Sequence, residues 1–344
     1  MSRIKENGNS GVVYLDENRC DPSFRLYNSR NEERAFLIDI KGKVIHQWEY
    51  PQGKSWHYSD IMSNGNLIAI VKDYMILELD RESNLVWNCE TRAHHDFARL
   101  RNGNTLVLSR SKNTNENIWA GKEVSYDYIS EKTPDNKEVW KWEIEDHVEE
   151  LAEMVDLIYP NEFEFNDWPH INTIEVLPEN CSGSKNNSFK KGNLLMCGRH
   201  INTIWTVDRS SGEIVWTWGT DELLGPHMPT MLSSGNILIY DNGDHTDQLS
   251  RSYTRILELD PIREEIVWEY KEDPPEEFFS PRRGSNQRLP NGNTLISESD
   301  SGRLFEVTPD GDIVWEFINP DHMEGNPAPI YRVMGYPKEE INFK

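Results

Sequence analysis

His227-Met228-Pro229-Thr230-Met231-Leu232-Ser233-Ser234-Gly235-Asn236-Ile237-Leu238-Ile239-Tyr240 reads as a strand, a tight Gly-Asn turn and a second strand returning beside the first. Residues 255–260 and 265–270 add two more short apolar stretches with a turn between them, so the unit is four consecutive antiparallel strands. Its turn recurs as Asn64-Gly65-Asn66, Asn102-Gly103-Asn104, Gly192-Asn193 and Asn291-Gly292-Asn293, each ahead of an apolar run. Its last strand recurs at residues 44–48, 85–87, 139–142, 214–218 and 313–317, and Trp268 and Trp315 stand 47 residues apart. A four-stranded repeat of that period predicts an all-β, six-bladed β-propeller. Trp48, Trp87, Trp140, Trp216, Trp268 and Trp315 would close the six blades and pack each on its neighbour.

Five turns serve six closing strands, so the first blade lacks an inner strand of its own. Residues 330–334 are expected to supply it, beside 24–27 and 35–40, which closes the ring with strands from both ends of the chain and removes exposed sheet edges. One segment departs from the strand pattern. Residues 145–158, EDHVEELAEMVDLI, put Val148, Leu151, Val155 and Ile158 on one helical face. A helical insertion of about residues 145–160 is therefore expected before blade four, covering one end of the channel. Loops 111–121 and 243–252 are further candidates for the rim. Residues 1–344 are expected to form one propeller domain, without a separate amino-terminal sandwich domain.

The composition narrows the function. With 59 Asp and Glu against 36 Lys and Arg the net charge is −23, which argues against nucleic-acid or acidic-membrane partners, since both are bound through cationic side chains. No apolar run approaches the roughly 20 residues that span a bilayer. The first residues, MSRIKENGNSG, lack a signal-peptide core, and Cys20, Cys89, Cys181 and Cys197 show no zinc-ligand spacing. A reduced, cytoplasmic chain is the expectation.

The turn phrase also fixes a register. Nine residues before its last Asn stand His57, His95, His227 and Gly284, and the divergent middle copy offers His170. Six residues after it stand Lys72, Arg110, Arg199, Asn242 and Ser299. In a propeller the start of the first strand and the end of the second lie at one face, so these side chains should surround one funnel. His170 and Asn172, two apart, share a strand face. His94 and His200 are out of phase with His95 and Arg199 and are expected to support them. Histidines beside a fixed guanidinium suit a tetrahedral oxyanion better than a metal ion, and an imidazole can itself accept a transferred group.

Four segments carry a family resemblance: His94-His95-Asp96-Phe97 with its following turn, Asp167-Trp168-Pro169-His170-Ile171-Asn172, Gly198-Arg199-His200, and Pro226-His227 with Tyr240-Asp241-Asn242-Gly243. Together with Tyr331-Arg332 they resemble the bacterial arylsulfotransferases, the PAPS-independent aryl-sulfate sulfotransferases, over about residues 24–336. The resemblance implies a six-bladed propeller that moves a sulfuryl group from an aryl sulfate donor to a phenolic acceptor in ping-pong fashion, with no cofactor and no metal. It implies His227 as the nucleophile, His170, Asn172 and Arg199 on the sulfuryl oxygens, and His95 in charge or proton handling. Lys72, Arg110, Asn242, His57, His94 and His200 complete the candidate site. Two other functions fit the residues: a metal-dependent lyase or hydrolase ligated by the histidines, and a non-catalytic propeller that binds an anion or a protein.

Overall fold

In the computed structural model, which describes residues 10–114, 123–157, 167–243 and 251–341, the repeat unit is a four-stranded antiparallel sheet, and six such sheets form the blades of a propeller. Blade one joins the chain's two ends. Its innermost strand is Ile330–Tyr336, followed outward by Phe24–Ser29, Arg34–Ile38 and Val44–Glu49. Blades two to six begin at the channel with Trp56–Ile61, Ala93–Arg99, Ile171–Val176, His227–Met231 and Ser285–Arg288. A second closure was not expected: Gly11–Leu15 pairs antiparallel with Ile313–Ile318, the outer strand of blade six, and makes that sheet five-stranded.

The turn phrase holds the blades together at one end of the barrel of strands. Its last Asn donates to a glutamate on the third strand of the same blade: Asn66 to Glu78 (2.7 Å), Asn104 to Glu131 (2.5 Å), Asn236 to Glu258 (2.7 Å) and Asn293 to Glu306 (2.6 Å). Each glutamate in turn pairs with an arginine of the following blade, respectively Arg99, Arg209, Arg288 and Arg25. Those guanidinium groups lie over Trp87, Trp140, Trp268 and Trp315, the expected closing tryptophans. The glycine is required in this turn. Gly235 has φ +90°, and a Cβ there would sit 2.5 Å from Ser182.

The outer strands make a second set of ties. Indole N–H groups of Trp142, Trp268 and Trp315 donate to backbone carbonyls of Gly212, Pro309 and Ile40 in the outer turns of the next blade, and Trp216 donates to Glu264 in the same place. In blade one His46 makes the equivalent contact, to the carbonyl of Arg81.

The helical insertion is shorter than its pattern suggested, and its described part lies elsewhere. A 3-10 turn, Ile144–His147, leads into a seven-residue helix, Val148–Met154. Val155 is already extended, and Ile158 lies outside the described residues. Val148 and Leu151 pack with Trp142 and Ile144, and Glu150 accepts from the Ile214 N–H on the outer strand of blade four. This helix therefore seals the outer seam between blades three and four rather than covering the channel. The rim candidates 111–121 and 243–252 fall largely outside the described residues. No helix among the described residues is long and apolar enough to cross a membrane.

Candidate active site

At the end opposite the turn phrases the inner strands lose their regular pairing. Three residues, His94, His95 and Asp96, face one partner in blade three, and two, Met228 and Pro229, face one in blade five. His57 and Asn172 are single extra residues in blades two and four. His95, His170 and Met228 have φ of +53°, +62° and +44°, left-handed conformations that non-glycine residues seldom adopt. Such bulges re-aim side chains, and here they turn imidazoles toward the channel axis.

The rings stand in a row. His57 and His95 centroids are 4.4 Å apart, His95 and His170 4.8 Å, and His170 and His200 4.7 Å. Tyr331, from the C-terminal strand, stands among them. Its ring stacks on His57 at 4.6 Å and meets His95 edge-on at 5.7 Å and His227 at 6.3 Å. The Tyr331 hydroxyl is buried and has no hydrogen-bond partner among the described residues. Gly284, at the histidine register of blade six, is glycine for a steric reason: a Cβ there would lie 2.1 Å from the Tyr240 ring.

His227 is the most constrained of the imidazoles. Its Nδ1 faces the Gly225 carbonyl at 3.1 Å and Asn242 Oδ1 at 2.8 Å. The Asn242 amide is oriented by its own donors, since Nδ2 donates to the carbonyls of Ser280 (2.6 Å) and Arg283 (2.9 Å). Two acceptors at Nδ1 place the proton there and leave the lone pair on Nε2. Burial, with Arg199 nearby, holds His227 well below the ordinary histidine range, so the ring is neutral at physiological pH.

Arg199 is buried in a short 3-10 turn, Arg199–Ile201. Its Nη1 donates to His200 Nε2 at 2.8 Å, and Nη2 donates to the Pro281 carbonyl at 3.3 Å. His200 consequently carries its proton on Nδ1, which donates to the Asp167 carbonyl at 2.7 Å. His200 thus orients Arg199. Burial lowers Arg199 to about 10, still a cation at neutral pH.

Asp167 organises the next group. Its Oδ2 accepts from His170 Nδ1 at 2.8 Å and from Arg110 Nη1 at 3.2 Å. Burial alone would raise this carboxyl, but His170 and Arg110 outweigh it and hold it far below the usual range. Arg110 also faces Asp73 at 3.4 Å, so its charge is engaged by carboxylates. Asn172 is fully buried. Its Nδ2 donates to the Pro226 carbonyl (2.8 Å), and its Oδ1 accepts from Thr173 (2.9 Å). Asn172 thus fixes the segment leading into His227. Lys72 is exposed at the funnel's edge.

A buried chain of ring nitrogens ends at His95. His95 Nδ1 and His94 Nδ1 are 2.7 Å apart, and His94 Nε2 lies 3.1 Å from Asp127 Oδ1. Asp127 Oδ2 accepts from the Ile171 N–H at 2.5 Å. Burial and Asp167 push Asp127 up to about 8, while burial pushes His94 and His95 down. The His94–Asp127 contact is an ion-pair distance and not a hydrogen bond, so Asp127 acts on the two rings through its charge. With Asp127 ionised, its charge favours protons on the ring nitrogens nearest to it and leaves His95 Nε2 a base; with Asp127 protonated, His95 Nε2 can carry the proton as an acid.

A neutral imidazole with a free Nε2, a buried guanidinium and an acid–base imidazole around one axis suit transfer of an anionic tetrahedral group. The sequence comparison agrees: the family model "Arylsulfotransferase (ASST)" matches residues 59–320. The chain belongs to the arylsulfotransferase family. Membership supports a sulfotransferase-type function. A search of curated proteins finds no match. Similar solved structures include a protein of unknown function from Bacteroides caccae, with 14% identity and TM-score 0.58 over 92% of this chain and 99% of that one. They also include a streptogramin B lyase, with 12% identity and TM-score 0.53 over 96% and 95%. At these identities the likeness concerns the propeller fold alone.

The floor of this candidate site was legible only in part. Tyr331-Arg332, Asp96 and Asp167 belonged to the resembling segments, but the two aspartates carried no assigned role and Asp127 was not named. Arg332 forms a two-pronged pair with Asp96 (2.9 and 3.2 Å) and donates to the Asn172 carbonyl at 2.8 Å. Asp96 also accepts from the Phe97 and Ile174 N–H groups, so one buried ion pair ties blades one, three and four across the channel. Each of these aspartates sits within three residues of a candidate histidine or, for Asp127, across the sheet from Arg110. Among the described residues no group of three His, Cys, Asp or Glu side chains could hold a metal ion.

Proposed function

We propose that this protein transfers a sulfuryl group from an aryl sulfate ester to a phenolic acceptor in two half-reactions through a sulfohistidine at His227. The observation that carries this reading is the pair of acceptors, Gly225 O and Asn242 Oδ1, at His227 Nδ1. In the first half-reaction the Nε2 lone pair attacks sulfur, the S–O bond to the aryl group breaks, and the phenolate takes a proton from His95 Nε2. The ring keeps its Nδ1–H, and the positive charge that develops on it is stabilised by the same two acceptors. It therefore departs later as neutral imidazole, a far better leaving group than an imidazolate.

In the second half-reaction the acceptor phenol gives its proton to His95 Nε2, its oxygen attacks sulfur, and the N–S electron pair returns to His227. His95 keeps that proton on Nε2, and the Asp127 carboxylate, 3.1 Å from His94 Nε2, offsets its charge. Arg199, and His170 backed by Asp167, stabilise charge on the sulfuryl oxygens. Brief quenching with 4-nitrophenyl sulfate should add one sulfuryl group to His227, detected by peptide mass, and a later phenol should remove it. Robust turnover with no adduct under fast quench would overturn the mechanism.

A further inference from the structure

Beside the histidine row, between blades one, two and six, lies a cavity of about 240 Å³ lined in part by Arg30, Trp56, His57, Lys72, Arg283 and Tyr331. For scale, a cavity of about 150 Å³ accepts benzene, so this one has room for a substituted ring. Its walls are aromatic: Trp56 and Tyr331 are almost fully buried, and His57 is stacked on Tyr331.

Beside the neutral Asn28, Asn31 and Ser55, its charged lining is wholly cationic, in a chain whose net charge is −23. Arg283 pairs with Asp300 at 2.8 Å. Neither Arg30 nor Lys72 has an ion-pair partner among the described residues, and Asp73, the carboxylate beside Lys72, is itself engaged by Arg110. Lys72 keeps solvent contact, yet partial desolvation lowers it, Asp73 partly offsets this, and Arg110, Arg283 and Arg30 lower it further. Like charges gathered without matching carboxylates are poised for an anion.

The cavity is joined to the chemistry through two residues. Tyr331 forms its wall and faces His227, and the Arg283 carbonyl holds the Asn242 amide that orients His227. In a ping-pong reaction the departing and arriving phenols occupy one place in turn, so one aryl pocket serves donor and acceptor alike.

We propose that this pocket is the aryl subsite and that it selects rings carrying a second anionic group, a carboxylate above all, held by Arg30 and Lys72. The proposal rests on the sulfuryl-transfer reading of His227. A matched pair of probes tests it: 3-(4-hydroxyphenyl)propionate and its methyl ester, whose phenols differ little in acidity. With 4-nitrophenyl sulfate as common donor, the acid should exceed the ester in kcat/KM by roughly tenfold, the size of one charge-assisted contact. The double substitution Arg30→Gln, Lys72→Gln should bring that ratio to about one. In a second arm the sulfate esters of the same two compounds, used as donors to phenol, should show the same preference if the subsite is shared.

A wild-type ratio at or below one, or a preference that survives the double substitution, overturns the proposal. Were no ester turned over and no adduct formed at His227, the mechanism would fail rather than the subsite. Calorimetric binding of the acid and its ester to wild-type and double-variant protein then decides the subsite alone: tighter binding of the acid, lost in the variant, supports it, and equal binding overturns it.

Discussion

The two ends of the propeller treat one repeat in opposite ways. At the turn end Asn66, Asn104, Asn236 and Asn293 do the same work in four blades, each donating to a third-strand glutamate that binds the next blade's arginine. At the site end the repeat is broken by bulges of one, two or three residues, and each copy does something different. His57 accepts from the His95 backbone N–H, His95 ends a buried chain to Asp127, and His227 presents a free nitrogen. Repetition holds the blades together; departure from repetition builds the site. Substitutions at the two ends should therefore separate stability from chemistry.

The largest effect belongs to the site end. His227→Ala should lower sulfuryl transfer by at least roughly a thousandfold, as loss of an essential nucleophile does, with little change in melting temperature. Thermal melts and initial rates on one preparation check both halves. Normal turnover by that variant would remove His227 from the reaction.

Next comes the turn end. Arg25 and Glu306 are a fully buried pair, and Glu306 also accepts from Asn293 and the Asp21 N–H. Arg25→Met leaves that carboxylate buried without its cation and should cost about 3–5 kcal/mol of unfolding free energy. Transfer per folded molecule should stay as in wild type. Denaturant titration against activity would reveal a drop in rate at full folding, the result that breaks the comparison.

This division also explains what could be read from the sequence. The blade count, the closing tryptophans and the C-terminal strand in blade one follow from a period that the chain keeps. Counting nine residues back found His57, His95 and His227 because each bulge lies close to that position. Counting could not say how the bulges aim them, because bulge length differs between blades. Nor could it assign roles to Asp127 and Asp167, whose partners, His94 and His170, lie 33 and 3 residues away. The strand Gly11–Leu15 was missed for a related reason: it belongs to no repeat and pairs across the whole length of the chain.

Asp127→Asn sharpens the site side. It keeps the side chain's shape but removes the titratable carboxyl behind His94 and His95. Donors with poorly acidic phenols need a proton on the leaving oxygen, and for them kcat should fall about a hundredfold. 4-Nitrophenyl sulfate, whose phenolate leaves unaided, should lose far less in the first half-reaction. The pH dependence for poorly acidic donors should change as well. In wild type the acid form of the chain is lost as pH rises through the Asp127 value of about 8, so rates decline there, and the variant should lack that limb. Equal losses for both donors with an unchanged pH profile would mark Asp127 as structural only.

The smallest effect makes the sharpest contrast, because it uses one residue type on either side of one strand. Ile237–Asp241 runs from Asn236 at the turn end to Asn242 at the site end. Asn236→Ala removes a hydrogen bond to Glu258, which keeps its pairing with Arg288, so stability should drop by only about 1 kcal/mol with transfer unaffected. Asn242→Ala removes an acceptor from His227 Nδ1 and frees that imidazole to turn. Its rate should fall by roughly tenfold to a hundredfold, in keeping with the loss of a group that orients a catalytic histidine. The sulfohistidine should also form more slowly, because the charge growing on the ring has lost one of its two acceptors. If both alanine variants lost stability alone, Asn242 would be one more clasp residue and the free Nε2 of His227 would need another explanation.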